Sequence, residues 1–422
     1  MKKTQFFAPF RLRFFFVFIT INLAVNAQKF SSGFPELERP MKVYLKSWDI
    51  GDYPMYLKTP ENDGGNKVIR IVATNGSVGY VPFWVSRGGL SGVSNKWASE
   101  GGLTDAVVKV METTDLLDHE LLYDRMVNAG IPAYARVAAD IVCWDLHARM
   151  LNKPLHALLG TKRKEIVRYG DVRGNQPDFS PEEYAKKVTA YLKENNLKAT
   201  KLHFPGAMGT DESIPFLDVL KTLRLVREAV GKDAILAYDP YPRTAESATA
   251  SLTEAKELLK VLYELNYTWV EGPLVPIPEE TQIGKYAELL KDAKIRIQPE
   301  GQGPIGDISS FETIVKWANA GAANQFSTDA YYCDGITPII RLIKWAENRK
   351  QKDIVLNLHW AWVPHLQIAF GCNDDIFPYI EFPMSDEVPD AYFSQMDHVK
   401  LPDWPGVYLM LDSTNQELQN DK

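Results

Sequence analysis

The chain has 422 residues, of which 45% are hydrophobic, 24% charged and 11% aromatic. That mix can bury a large core and excludes disordered, collagen-like and coiled-coil classes. Its 47 basic and 54 acidic side chains give a net charge of −7 with no long basic block, so no nucleic-acid partner is expected. Lys2, Lys3, Arg11 and Arg13 flank the apolar stretch 14–25, which runs into Val25-Asn26-Ala27. A positive flank, a short apolar segment and a small residue at its end are the parts of a secretory signal. The stretch is also short of the roughly 20 residues that span a bilayer, which disfavours the alternative of a retained anchor. Cleavage after Ala27 would remove four basic residues and no acid, leaving 395 residues at −11. The expectation is an exported protein, periplasmic or secreted, with no stable membrane span. Cys143, Cys333 and Cys372 are too few for a disulfide framework and lack metal-type spacing.

Residues 28–160 read as a small α+β domain. Val68-Ile69-Arg70-Ile71-Val72-Ala73-Thr74 alternates as a strand, Asn75-Gly76-Ser77 makes a turn, and Val78-Gly79-Tyr80-Val81 resumes the extended pattern. Helical patterns follow over about 106–112, 120–128 and 133–150. In the last, Val137, Ile141, Trp144 and Leu146 fall near one face, Cys143 is expected in the core, and Asn152-Lys153-Pro154 ends the helix.

After Gly160 a unit repeats: a short apolar strand, a polar turn and an amphipathic helix. Strands are expected at 166–169, 199–203, 234–238, 269–271, 295–298, 325–328, 354–358 and 376–381. Helices between them include 181–195, 214–230, 252–265, 310–320 and 336–349. Most strand starts are about 30 residues apart, the length of one βα unit. Eight such strands in series predict an α/β fold, a TIM barrel of (β/α)7β type over 161–385. No helix is evident after the eighth strand, where Pro383, Pro389, Pro402 and Pro405 interrupt the chain. Residues 386–422 are expected to return to the first domain and complete it as a cap.

Barrel strands are buried on both faces, so an ionisable residue at a strand end needs a reason. The carboxyl ends of such strands hold the active site. Strand two ends Lys201-Leu202-His203, and a period of two puts Lys201 and His203 on one face. Asp239 ends strand three, Glu271 ends strand four and Glu300 closely follows strand five. Three carboxylates converging on one rim would repel and resist ionisation. Mg²⁺, which takes oxygen ligands and keeps open positions, would relieve this; the alternative is that each acid pairs with a surface Lys or caps a helix. Asp329, His359 and Glu381 end strands six, seven and eight. A carboxylate bonded to one imidazole nitrogen frees the other as base or acid, whereas a satisfied core histidine is the bland reading of His359. His365 opens a helical stretch, where packing or capping is the expected role. Lys201 would neutralise the acids or contact a substrate carboxylate. His203 would be a second base or a hydrogen-bonding group. Arg243 would clamp a distal carboxylate or stand as a solvated loop charge.

These motifs resemble the enolase superfamily, and within it the mandelate racemase-like branch. The helix from Ala138-Ala139-Asp140 to Ala148-Arg149, then Asn152-Lys153-Pro154 and Leu158-Leu159-Gly160, resembles that family's entry into its barrel. Asp239, the run Glu271-Gly272-Pro273-Leu274 and Glu300 resemble its three metal ligands. Asp329, followed by Asp334-Gly335-Ile336-Thr337, resembles the segment with the branch's dyad aspartate. His359 matches the dyad histidine, and Glu381 an acid that assists the enolate oxygen. The family often has lysine at both alternate positions of strand two, where this chain has His203, and Gly272 stands where a second acid is common.

The resemblance implies a Mg²⁺-dependent first step in which a base removes the α-proton of a carboxylate substrate. For this branch it implies acid-sugar dehydration, an aldonate or aldarate losing water to give a 2-keto-3-deoxy acid. A racemase, epimerase or cycloisomerase on the same scaffold is the runner-up, and a non-catalytic sugar-acid binder the third reading. The cap would set specificity through loops, with Tyr80 and Gly88-Gly89-Leu90-Ser91-Gly92 as candidates. Export would suit a sugar acid released from polysaccharide outside the cytoplasm. A homo-oligomer is expected, with a small-molecule carboxylate as the other partner.

Overall fold

The computed structural model describes residues 34–55, 67–83, 103–174, 179–204, 214–240, 252–274, 279–299, 310–331, 335–349, 353–360, 362–381 and 398–411. Strands β1 (Leu45–Asp52), β2 (Lys67–Ala73) and β3 (Val78–Pro82) form an antiparallel sheet in that order. The expected turn joins β2 to β3: Ala73 N–H donates to the Ser77 carbonyl at 2.8 Å, and Gly76 supplies φ +88°. Helices α1 (Leu103–Thr113), α2 (His119–Asn128) and α3 (Ala133–Met150) complete this first unit. Residues 137–148 of α3 are all buried, Asp140, Asp145 and His147 among them. A helix buried all round lies between two bodies, here the cap sheet and the barrel. Short α4 (Leu155–Leu158) then leads into the barrel.

The barrel strands are β4 (Glu165–Arg173), β5 (Ala199–His203), β6 (Ile235–Asp239), β7 (Trp269–Glu271), β8 (Arg296–Gln298), β9 (Gln325–Thr328), β10 (Val355–Leu358) and β11 (Tyr379–Glu381). They pair in parallel in the order β8-β7-β6-β5-β4-β11-β10-β9. Asn324 bridges the two edge strands: its Oδ1 accepts from Ile297 N–H at 2.9 Å and its own N–H donates to the Ile297 carbonyl at 3.3 Å. The result is a nearly closed eight-strand barrel, as the sequence predicts. Its interior packs Tyr169, Ala199, Ala237 and Trp269 together, so the barrel is a filled core.

Helices α5 (Pro181–Glu194), α6 (Phe216–Val230), α7 (Leu252–Glu264), α8 (Glu279–Asp292), α9 (Phe311–Asn319), α10 (Ile336–Glu347) and α11 (Val363–Phe370) connect the strands. Three differences from the sequence reading matter. Helix α8 was not expected. Strand β11 starts at Tyr379, three residues late, because Pro378 has no N–H to give the ladder. Strand β4 runs on past Tyr169 to Arg173, carrying Asp171 to the mouth.

Strand β12 (His398–Lys400) pairs antiparallel with the start of β4, below the point where β5 joins it. The chain then climbs to the cap, where Met410 bridges Met55 and Leu411 N–H donates to the Pro54 carbonyl at 2.6 Å. Residues 398–411 thus run from the barrel to the cap. Among the described residues no helix is long and apolar enough to cross a membrane.

Candidate active site

Strand register decides which side chains meet. Pairing of β5 with β6 sets His203 beside Asp239, and pairing with β4 sets Lys201 beside Asp171. Lys201, His203, Asp239, Glu271 and Glu381 are all buried at the carboxyl ends of their strands. The Lys201 ammonium is 3.0 Å from Glu271 Oε2, 3.0 Å from Glu381 Oε1 and 3.4 Å from Asp239 Oδ2. Its three donors therefore answer three carboxylates. Burial opposes its charge, but Glu271, Glu381 and Asp239 outweigh burial and hold the ammonium well above its ordinary pKa. Glu381 is likewise pushed up by burial and pulled down harder by Lys201 and His359, to about 2. Glu271 moves the other way, because burial raises it more than Lys201 lowers it.

A second group forms where β9 and β10 end. Leu358 pairs with Thr328, and His359 N–H donates to the Thr328 carbonyl at 3.1 Å. Asp329 and His359 thereby lie side by side, with His359 Nδ1 3.0 Å from Asp329 Oδ2. Asp329 Oδ1 also accepts from Tyr331 N–H at 2.7 Å. Burial raises the Asp329 carboxyl, yet His365 and His359 outweigh it and hold it well below the usual carboxylate range. An ionised Asp329 accepts a hydrogen bond from His359 Nδ1–H, which leaves Nε2 as the base nitrogen. His365, expected to pack or cap, is fully buried and also touches Asp329, with Nε2 3.3 Å from Oδ1.

A third group was not foreseen. His203 Nε2 lies 3.2 Å from Asp171 Oδ1 and 3.1 Å from Asp239 Oδ2, aligned for a hydrogen bond with neither. Burial, then the neighbouring Lys201 charge, depresses the His203 imidazole to about 3, so the ring is neutral. Asp171 in turn contacts Arg173 Nη2 at 3.2 Å. Continued alternation through Tyr169, Asp171 and Arg173 was the sequence signal for this acid.

Tyr80 of β3 packs in the cap, its ring 5.8 Å from Tyr53 and 5.2 Å from the Arg149 guanidinium carbon. Its N–H donates to Asp145 Oδ2 at 2.8 Å, and no described contact joins it to the rim acids. Arg243, Glu300 and residues 88–92 lie outside the described residues. Among the described residues no three His, Cys, Asp or Glu side chains form a metal-binding group. The donor set nonetheless suits a hard cation. Buried Asp239, Glu271 and Glu381 face one buried ammonium, an excess of oxygen donors and negative charge.

Residues 183–414 match the family model described as enolase C-terminal domain-like. The chain is 25% identical over 308 residues to a hydrophobic dipeptide epimerase of Roseobacter litoralis, covering 72% of this chain and 78% of that protein. It is 23% identical over 325 residues to an arabinonate dehydratase of Saccharolobus solfataricus, covering 71% and 77%. The crystal structure of a D-glucarate dehydratase from Agrobacterium tumefaciens, complexed with magnesium, shares the fold. Its TM-score is 0.65 at 19% identity, with 89% of this chain and 98% of that one covered.

Proposed function

The chain belongs to the enolase superfamily through its enolase C-terminal domain-like barrel, and on that premise we propose that it is a Mg²⁺-dependent acid-sugar dehydratase. The observation that carries the reading is the Asp329–His359 pair, 3.0 Å apart, on the same rim as the Lys201 cluster. A base lies on one side of the mouth, and a buried cation with acids on the other. Similarity to an arabinonate dehydratase supports sugar acids as the substrate class. Asp239 and Glu271, with Glu300 as third, would hold Mg²⁺, which when bound supplies positive charge to the substrate carboxylate.

The chain's own residues do the rest. His359 Nε2 removes the α-proton, and the bond's electron pair moves into the carboxylate to give an enediolate. Lys201 donates to the oxygen on which charge develops, and Glu381 holds Lys201 in place. Asp329 stabilises the resulting imidazolium, which returns its proton to the departing β-hydroxyl. Water leaves, and the enol ketonises to a 2-keto-3-deoxy acid.

One feature favours a second reading. His203 and Asp171 form another histidine–carboxylate pair, three strands round the barrel from His359. Two such bases serve a racemase or epimerase, in which one removes the α-proton and the other returns it from the opposite face. A panel of aldonates and aldarates with Mg²⁺ in D₂O separates the two. Dehydration yields 2-keto-3-deoxy acids; deuterium at the α-carbon without keto acid would reject it. His359→Ala should lower turnover by about 10²–10⁴-fold, and unchanged turnover would reject His359 as the base.

A further inference from the structure

His365 lies on the first turn of α11, is fully buried, and has both ring nitrogens engaged. Its Nε2 accepts the N–H of Ala330, the residue after Asp329, at 2.7 Å. A nitrogen that accepts carries no proton, so the neutral ring has its proton on Nδ1. Nδ1 donates at 2.8 Å to the carbonyl of Trp360, the residue after His359. One imidazole thus ties together the two loops that present Asp329 and His359.

The Trp360 end of this tie is conformationally unusual. Trp360 has φ +57°, in the left-handed region that a bulky side chain rarely adopts. Its backbone is held from both sides: the N–H donates to Glu381 Oε2 at 3.2 Å and the carbonyl accepts from His365. The turn brings the Trp360 indole to 5.4 Å from the His359 ring and 5.2 Å from that of Trp362. If Trp360 relaxed to a common backbone conformation, the direction of the chain leaving His359 would change. Strain of this kind persists where the surroundings over-determine it, and hydrogen bonds to the N–H and the carbonyl of one residue supply that.

We propose that His365 is a positioning residue for the Asp329–His359 pair, pinning the Ala330 N–H to the Trp360 carbonyl so that the imidazole of His359 meets its carboxylate. The inference rests on reading that pair as the acid/base of the reaction. Its geometric content stands apart from which reaction is run. His365 acts through the backbone of both loops and through its own contact with Asp329 Oδ1 at 3.3 Å.

The test uses the full chain labelled with ¹⁵N-histidine, in Mg²⁺ buffer, as native protein and as His365→Phe, His365→Asn and His365→Gln. Phe keeps the ring shape and removes both bonds; Asn keeps a donor for Trp360, and Gln an acceptor for Ala330. His365→Phe should move the His359 ring resonances and their titration midpoint, leaving unchanged the ring of His119, which stacks on Trp144 away from α11. Asn and Gln should each restore part of the native position. On whichever acid of the panel the native enzyme turns over, kcat should fall about a hundredfold in His365→Phe, with KM little changed. A folded His365→Phe protein whose His359 signals and titration coincide with native would overturn the proposal. If His365→Phe does not fold, Asn and Gln variants with native His359 signals overturn it equally. A native protein inactive on the whole panel counts against the dehydratase reading, while the ring signals still decide the role of His365.

Discussion

At the barrel mouth a single buried ammonium, Lys201, lies within 3.4 Å of Asp239, Glu271 and Glu381. One charge cannot neutralise three, and burial raises the Glu271 carboxyl beside them. A ligand that binds only the folded state stabilises it by mass action, about 2.7 kcal/mol at a hundred times its dissociation constant. Saturating Mg²⁺ should therefore raise the unfolding temperature, and the double change Asp239→Asn with Glu271→Gln should abolish the increment. Calorimetry with and without EDTA checks this; an equal rise in the double variant would place the ion elsewhere. Lys201, Asp239, Glu271 and Glu381 were legible in the sequence because an ionisable side chain ending an apolar strand has few explanations. Asp171 was not, because the expected strand ends at Tyr169, before Gly170. That glycine is there for packing: a Cβ on it would overlap the Tyr191 ring of α5.

The elements are tied by caps as much as by apolar contact, and the N-terminus of α10 is the clearest case. Gly335 precedes it with φ +110°, and a Cβ there would overlap the Asp140 carboxylate of α3. Asp140 Oδ2 accepts from Ile336 N–H at 2.6 Å and Thr337 N–H at 3.0 Å, while its other oxygen meets the Thr337 hydroxyl. A cap-domain side chain thus caps a barrel helix. Gly335→Ala would add left-handed strain and displace the cap, at a cost of about 2–3 kcal/mol. Denaturant unfolding checks it, and a change within experimental scatter would show that the loop adapts. Burial pushes Asp140 up to about 7 against those hydrogen bonds. A carboxyl raised on folding keeps in the native state a proton that the unfolded chain gives up above its ordinary value of about 4. This part of the stability is complete below that value and is lost as pH rises through 7. Asp140→Asn, which mimics the protonated form, should flatten the decline between pH 5 and 8. A parallel decline in both proteins would remove Asp140 as its source. Helix α8 went unread where α10 did not. Its sequence, EETQIGKYAELLKD, is largely polar with a glycine inside, whereas α10 buries Ile336, Ile339, Ile340 and Ile343 in one run.

At the scale of the molecule the barrel was legible because its strands and helices repeat locally. The ties between cap, barrel and tail were not, because their partners lie from about forty to more than two hundred residues apart. Arg341 of α10 pairs with Glu120 and Asp124 of α2, and Gln367 of α11 donates to the carbonyls of Gly406 and Val407. Asp145 joins more of the chain than any of these. It is fully buried and accepts from Tyr80 N–H, Arg149 Nε, Val407 N–H and Tyr408 N–H, linking β3, α3 and the tail. Arg149 also donates to the Tyr408 carbonyl at 2.6 Å. Removing one partner of such a network leaves buried donors and a guanidinium without a counter-charge, a loss of about 3–5 kcal/mol. Because the same carboxylate holds the tail that also pairs with β4, cap and barrel should unfold together. Native protein should give coincident transitions by near- and far-ultraviolet circular dichroism. Asp145→Ala should lower the common midpoint and Asp145→Asn should lower it less, because the amide oxygen can still accept. Separate cap and barrel transitions in native protein, or an Asp145→Ala midpoint equal to native, would mean that the tail does not couple the two.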